Sequence, residues 1–199
     1  MAKGTHDVII VGGGPVGLSL GLALTRFAPG IAVALVDRRS MSVPKDARAS
    51  AIAGGVQRMF AAMGVWDGMA AEANPVARMK ITDSGTGDIV RPVFLTFGEE
   101  GAPGEPIAHM VPNTASAAAL IAAAGAIEIV DPGVVTRFSG KGALAEIGLE
   151  DGRIYKAPLV VGADGGQSGL RKLAGIDVFS HDYRQSGIVT TIAHSAPHD

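Results

Sequence analysis

The pattern Gly12-x-Gly14-x-x-Gly17 stands between the apolar run VIIV and the segment PVGLSLGLALTRF, whose leucines recur at helical spacing. Few patterns restrict a chain more, because each glycine answers a separate steric demand. The first lets the chain turn tightly out of a strand, the second lets a pyrophosphate approach the backbone, and the third lets helix pack on strand. A β-branched residue at position 14 is accordingly expected to block a pyrophosphate and to resist the backbone angles there. A second apolar run, IAVALVD, ends in Asp37, 20 residues after Gly17. This spacing predicts a complete βαβ unit over the first 37 residues, with the Asp37 carboxylate placed for the hydroxyls of an adenosine ribose. The phosphates would lie against Gly12, Gly14, Pro15, Val16 and Gly17, where unpaired N–H groups and the helix dipole favour anions, and Arg38, next to Asp37, is a further candidate to bind the cofactor. The unit by itself leaves FAD and NAD both open.

Composition removes several other classes. A net charge of -2, with no basic cluster longer than two residues, gives no electrostatic reason to expect nucleic acid as a partner. The absence of cysteine rules out disulfides, thiolate nucleophiles and Cys-ligated metals, and fits a reducing cytoplasm. The first ten residues, MAKGTHDVII, lack the long apolar core and small-residue cleavage site of a signal peptide. No apolar run approaches the roughly 20 residues needed to span a bilayer. The reading is a cytoplasmic chain for which peripheral contact with the inner face of the membrane stays open.

Further along, AIAGGVQRMFAAMG, residues 51–64, has helical spacing and ends on Gly64, a candidate C-cap. From Val76 the texture changes to short alternating segments, ARMKITDSG and VRPVFLTF, which predict antiparallel strands, and GEEGAPGEP is a loop by composition. SAAALIAAAG predicts a helix and AIEIV a strand. VVTRFSG, ALAEIGLEDG and RIYKAPLVVG predict a β-meander that turns at Asp151-Gly152. VGADGGQSG then sets Asp164 between an apolar strand and a short helix, SGLRKLAG. An Asp-Gly turn at a strand end explains such a residue without any ligand.

The segments DVIIVGGGPVGLSLGLAL, DARASAIAGGVQRMFAAMGVWD, HMVPN and VVGADGGQSGLRKLAGI together resemble the flavin-dependent aromatic hydroxylases of the para-hydroxybenzoate hydroxylase type. Within that group the chain is most similar to the ubiquinone-biosynthesis hydroxylases of the UbiH/VisC type. The resemblance implies an α/β, Rossmann-type FAD-binding domain with an inserted β-rich substrate domain. It assigns 1–75 and 109–177 to the FAD-binding domain, and 76–108 and 178–199 to part of the substrate domain. It also implies that Asp164 and Gly165 lie near the ribityl and pyrophosphate region of FAD, that Arg48 runs beside the flavin, and that Asn113 sits near the ribityl chain. Ser168 and Arg171 follow the family's pattern, whereas TASAAAL departs from it at Ser116, where leucine is usual. The implied reaction uses NAD(P)H and molecular oxygen to hydroxylate a phenolic, polyprenylated ring, in a protein that associates peripherally with a membrane or a biosynthetic complex. No oligomeric state and no catalytic acid, base or nucleophile follows from it.

Two alternatives remain: a flavin monooxygenase acting on a small soluble aromatic, and an NAD-dependent dehydrogenase or non-catalytic dinucleotide-binding module. Members of the resembling family are considerably longer and carry a further Gly-Asp flavin motif, which Gly87-Asp88 in TGDIVRP does not complete. This chain is therefore expected to be an N-terminal piece, inactive alone, with GIVTTIAH as a strand entering the substrate domain. His194 and His198 are separated by Pro197 and make a poor metal pair, and Glu99-Glu100 reads as a solvated loop tip.

Overall fold

Val8–Val11 form strand β1, and all four residues are buried. The computed structural model describes residues 6–82, 92–98, 105–190, 193 and 195. In chain order β1 is followed by α1 (Pro15–Phe27), β2 (Val33–Val36), β3 (Ala49–Ala53), α2 (Gly54–Ala62), α3 (Asp67–Ala70), β4 (Asn74–Val76), β5 (Met79–Thr82) and β6 (Val93–Phe97). Then come β7 (Ala108–Pro112), α4 (Asn113–Ala123), β8 (Glu128–Val130), β9 (Val135–Ser139), β10 (Ala145–Leu149), β11 (Ile154–Ala157), β12 (Leu159–Gly162) and α5 (Gly169–Leu173). Two compact units result: Met1–Pro44 with Ala117–Asp199, and Lys45–Ser116.

The first unit is built on a parallel sheet of order β12-β1-β2-β8. Ile9, Val11, Ala34 and Val36 pack on one face against Ile147, Leu149, Tyr155 and Ala157 of the antiparallel β11-β10-β9 meander. On the other face α1 buries Leu18 and Leu22. A Cβ added to Gly21 would stand 3.5 Å from Ile10 Cδ1, which marks how closely this helix lies on β1. With both faces covered, the strands read as continuous apolar runs rather than alternating ones. Burying each of Ile9, Ile10 and Leu35 contributes about 1.5–3 kcal/mol, so this sandwich holds the carboxyl ends of β1 and β2 in place.

RIYKAPLVVG is not one strand of the meander, as the sequence predicts, but two. β11 pairs antiparallel with β10, and after Pro158 the chain crosses to β1 as the parallel strand β12. Pro158 has no N–H for a ladder, and the break falls there. The expected Asp151-Gly152 turn is present, with Gly152 at φ +88.

In the second unit β7 lies between β3 and β4 in an antiparallel sheet, and β5 pairs antiparallel with β6 as the alternating pattern predicts. The helix expected over 51–64 begins only at Gly54, because Ala49–Ala53 pair with Ala108–Pro112. Long-range pairing overrides local helical spacing there. Its end is as expected: Gly64, at φ +75, donates to Ala61 O (3.0 Å) and Val65 donates to Phe60 O (2.9 Å), the paired bonds of a Schellman cap.

The strand expected in GIVTTIAH does not form over Gly187–Thr190. Thr191, Ile192, His194, His198, Gly87-Asp88 and Glu99-Glu100 lie outside the described residues. Among the described residues no helix is long and apolar enough to cross a membrane.

Candidate functional site

The end of β1 meets the end of β12 at Gly12. Ala163 N–H donates to Val11 O (2.7 Å), and a Cβ on Gly12 would lie 2.3 Å from Ala163 O. Gly12 also has φ +117, so both space and backbone exclude a side chain. Gly17 is as tightly held, since its Cβ would stand 1.9 Å from Gly12 O. Gly14 differs from both. Its φ of -74 is open to any residue, which corrects the expectation that position 14 needs glycine's own angles. What distinguishes it is space, for an added Cβ there would meet nothing within 4 Å. Pro15 at the first turn of α1 has no N–H to lose and a φ already suited to the helix. The Val16 and Gly17 N–H groups belong to that turn and lack intrahelical acceptors.

Asp37 follows β2 and braces the glycine loop. Gly13 N–H donates to its Oδ2 (2.6 Å), and Arg39 N–H to its Oδ1 (2.8 Å). Its own backbone is fixed on both sides, with its N–H on Val130 O (3.1 Å) and its carbonyl accepting from Gly133 N–H (2.7 Å). An ionised carboxylate accepts about four hydrogen bonds, so each oxygen keeps capacity for a further donor.

These residues border one cleft of about 510 Å³, lined by Gly12, Gly14, Pro15, Val16, Asp37 and Arg38 on one side and by Ala163, Asp164 and Gly165 on another. Gly17 lies beneath it, in the packing of α1. Arg39, Val134 and Gln167 also line the cleft and were missed in the sequence, where nothing marks residues that converge only when β8 and β12 join the sheet.

Asp164 turns inward upon its own loop. Its Oδ1 accepts from Ser168 Oγ, and its Oδ2 accepts from the N–H groups of Gly169 (2.7 Å) and Leu170 (3.1 Å). Ser168 is the N-cap of α5, and its Oγ accepts from Arg171 N–H (3.0 Å). Partial burial opposes ionisation most strongly, yet the bonds from Ser168, Leu170 and Gly169 together outweigh it and hold the carboxyl below its ordinary value. The carboxylate thus serves the first turn of α5. The neighbouring Gly165, at φ +89, shapes the backbone that faces the cleft.

Arg48 and Asn113 come together in the second unit around a residue the sequence did not single out. Asp46 accepts from Arg48 Nε at Oδ1 and from Arg48 Nη2 at Oδ2, both at 2.9 Å, and from Asn113 Nδ2 at Oδ2 (2.8 Å). Asn113 Oδ1 accepts from Ser50 Oγ (2.6 Å). The hydrogen bond from the Arg48 side chain is the main reason the Asp46 carboxyl sits well below the usual carboxylate range.

The first unit's cleft fits the adenosine end of a dinucleotide: a strand-end carboxylate with acceptor capacity left, a helix N-terminus opened by proline, and empty space over Gly14. A profile described as FAD binding domain matches residues 5–199. The chain belongs to the FAD-binding domain family. It is 34% identical to ubiquinone hydroxylase UbiL of Rhodospirillum rubrum, over 96% of this chain and 44% of that protein. It is 30% identical to 3-demethoxyubiquinol 3-hydroxylase of Escherichia coli, over 96% of this chain and 49% of that one. The chain therefore spans about half the length of the curated relatives it matches. Among solved structures, the OxyS anhydrotetracycline hydroxylase of Streptomyces rimosus superposes with a TM-score of 0.70 at 26% identity, covering 90% of this chain and 35% of that one.

Proposed function

We propose that this chain carries the FAD-binding core of a monooxygenase that hydroxylates a phenolic, polyprenylated ring in ubiquinone biosynthesis, with NAD(P)H as electron donor and O2 as co-substrate. The observation that carries the reading is the cleft at the ends of β1 and β2, in a chain 34% identical to a ubiquinone hydroxylase. In this reading 1–75 and 109–177 make the FAD-binding domain, while 76–108 and 178–199 belong to the substrate domain. The protein works in the cytoplasm, at the inner face of the membrane where a polyprenylated substrate resides.

Asp37 accepts the ribose hydroxyls, and the first turn of α1 binds the pyrophosphate over Gly14. The backbone at Gly165 lies along the ribityl and pyrophosphate region, with the Asp164 carboxylate holding that turn in shape. Arg48 and Asn113 serve the flavin end. Bound FAD supplies the redox chemistry that activates oxygen, and the chain's own residues bind, orient and exclude water.

The test begins with the purified chain titrated with FAD and with NAD, followed by absorption spectroscopy after unbound nucleotide is removed. A flavin spectrum is expected; retention of NAD without FAD would favour a dehydrogenase. The whole protein is then given NAD(P)H, oxygen and a polyprenylated phenol, with product and oxygen uptake measured together. The similarity to OxyS favours a second reading, a small soluble aromatic as substrate, and the same assay with a phenol lacking the polyprenyl tail distinguishes the two.

A further inference from the structure

We propose that Met41 and Asp131 are positioning residues for the carboxylate of Asp37; this rests on the FAD reading above. The run 38–44 leaves β2 without helix or strand, and all its residues are exposed except Met41, which is half-buried. Two contacts hold that residue down. Its N–H donates to Asp131 Oδ2, just beyond the end of β8. Its side chain returns to the glycine loop, where a Cβ added to Gly13 would stand 2.7 Å from Met41 Cε. The same Cβ would stand 3.1 Å from Asp37 Cβ and 3.2 Å from Asp37 Oδ2, so the thioether methyl and the carboxylate crowd one face of one glycine.

Beside that face runs the bond from Gly13 N–H to Asp37 Oδ2, at 2.6 Å the contact that points the carboxylate. A bond near solvent competes with water, and an apolar group packed against it lowers the local dielectric and strengthens it. Methionine suits the task, since an unbranched, flexible side chain fills an irregular gap against backbone. On a run without regular structure, however, holding it in one rotamer costs entropy. Asp131 offsets part of that cost by fixing the backbone from which the side chain departs. The segment around Asp131 already grips Asp37, through Val130 O on the Asp37 N–H (3.1 Å) and Gly133 N–H on the Asp37 carbonyl (2.7 Å). Residues 130–133 thus fix the backbone of Asp37 directly and its side chain by way of Met41. Neither Met41 nor Asp131 is among the residues that line the cleft, so their effect on a nucleotide passes through Asp37.

The experiment measures dissociation constants of the whole protein for FAD, by flavin fluorescence, and for ADP, which carries the adenosine and pyrophosphate without the flavin, by competition with FAD. Met41→Ala and Asp131→Ala are each expected to weaken both ligands by the same factor, about three- to tenfold. Asp131→Asn keeps an oxygen for the Met41 N–H, and Met41→Leu keeps an apolar group beside Gly13, so both should bind within about twofold of wild type. In an Asp37→Ala background Met41→Ala should cost nothing further, because the group it positions is gone. An unchanged constant for Met41→Ala, a loss that multiplies with that of Asp37→Ala, conservative variants that lose as much as alanine, or weaker FAD with unchanged ADP would overturn the proposal. Should Asp131→Ala fail to fold, the Met41 variants carry the test alone. Asp37→Ala by itself separates the two levels. Weakening there with Met41→Ala at wild-type affinity leaves the FAD reading standing and removes this one, whereas no FAD binding by wild type removes both.

Discussion

Asp37 and Asp164 are both aspartates just beyond strands of one parallel sheet, and their surroundings give them different work. Asp37 braces the glycine loop and retains acceptor capacity toward the cleft, so Asp37→Ala is expected to weaken FAD binding by about 1.5–3 kcal/mol in a fluorescence titration. Asp164 accepts from the first-turn N–H groups of α5 behind the Ser168 cap, which gives it a part in stability. A carboxyl held below its unfolded value, about 3.9, contributes stability that is fully present above that pH and is lost as pH falls through the folded value. Asp164→Asn should therefore be less stable than wild type in urea at neutral pH, with the gap shrinking below about pH 4; a gap that ignores pH would contradict that role. The site was only partly legible in the sequence. Asp37 is found by counting from Gly17, but Asp46 beside Arg48 looks like any solvated pair, and its bond to Asn113 spans 67 positions that no local pattern connects.

At the scale of elements, α1 and its glycines separate space for a ligand from space for packing. Gly17→Ala would force a methyl to within 1.9 Å of a backbone oxygen, so the helix must lift from β1. Overpacking of this kind costs about 1–3 kcal/mol or more, read as a lower thermal midpoint of the chain without nucleotide. Gly14→Val should leave that midpoint nearly unchanged, since its φ is ordinary and its surroundings are open, while abolishing FAD binding. If Gly14→Val still titrates normally with FAD, the pyrophosphate does not pass over this residue. The βαβ unit could be read from sequence because its signals are local: apolar runs, glycine spacing and a proline at the helix start. Strand β3 could not, because its reason for being extended is β7, nearly sixty residues away, and the residues themselves suit a helix. The division of β11 from β12 is likewise decided by which sheet each joins, with Pro158 as the only local trace.

For the molecule as a whole, the order β12-β1-β2-β8 puts one of the first strands of the chain beside one of the last, with Val8 opposite Leu159. Contacts this distant in sequence slow folding, because loop closure precedes the reward of pairing. They also set a timetable on the ribosome. At about 5–20 residues per second, the roughly 150 residues between these partners take about 8–30 s to emerge, and through that interval the VIIV segment has β2 on one side and nothing on the other. Nascent chains stalled before Leu159 should expose this segment to protease and to chaperones that grip apolar strands, and chains stalled well beyond Gly162 should protect it. Equal protection at both lengths would mean that the N-terminal strand finds shelter without its late partner. The dinucleotide cleft shares this schedule, since Gly12 meets Ala163 only when β12 arrives. A cell short of cofactor would thus meet a deficit of loaded protein only after most of this segment had been synthesised, too late for the nucleotide to guide its earlier folding.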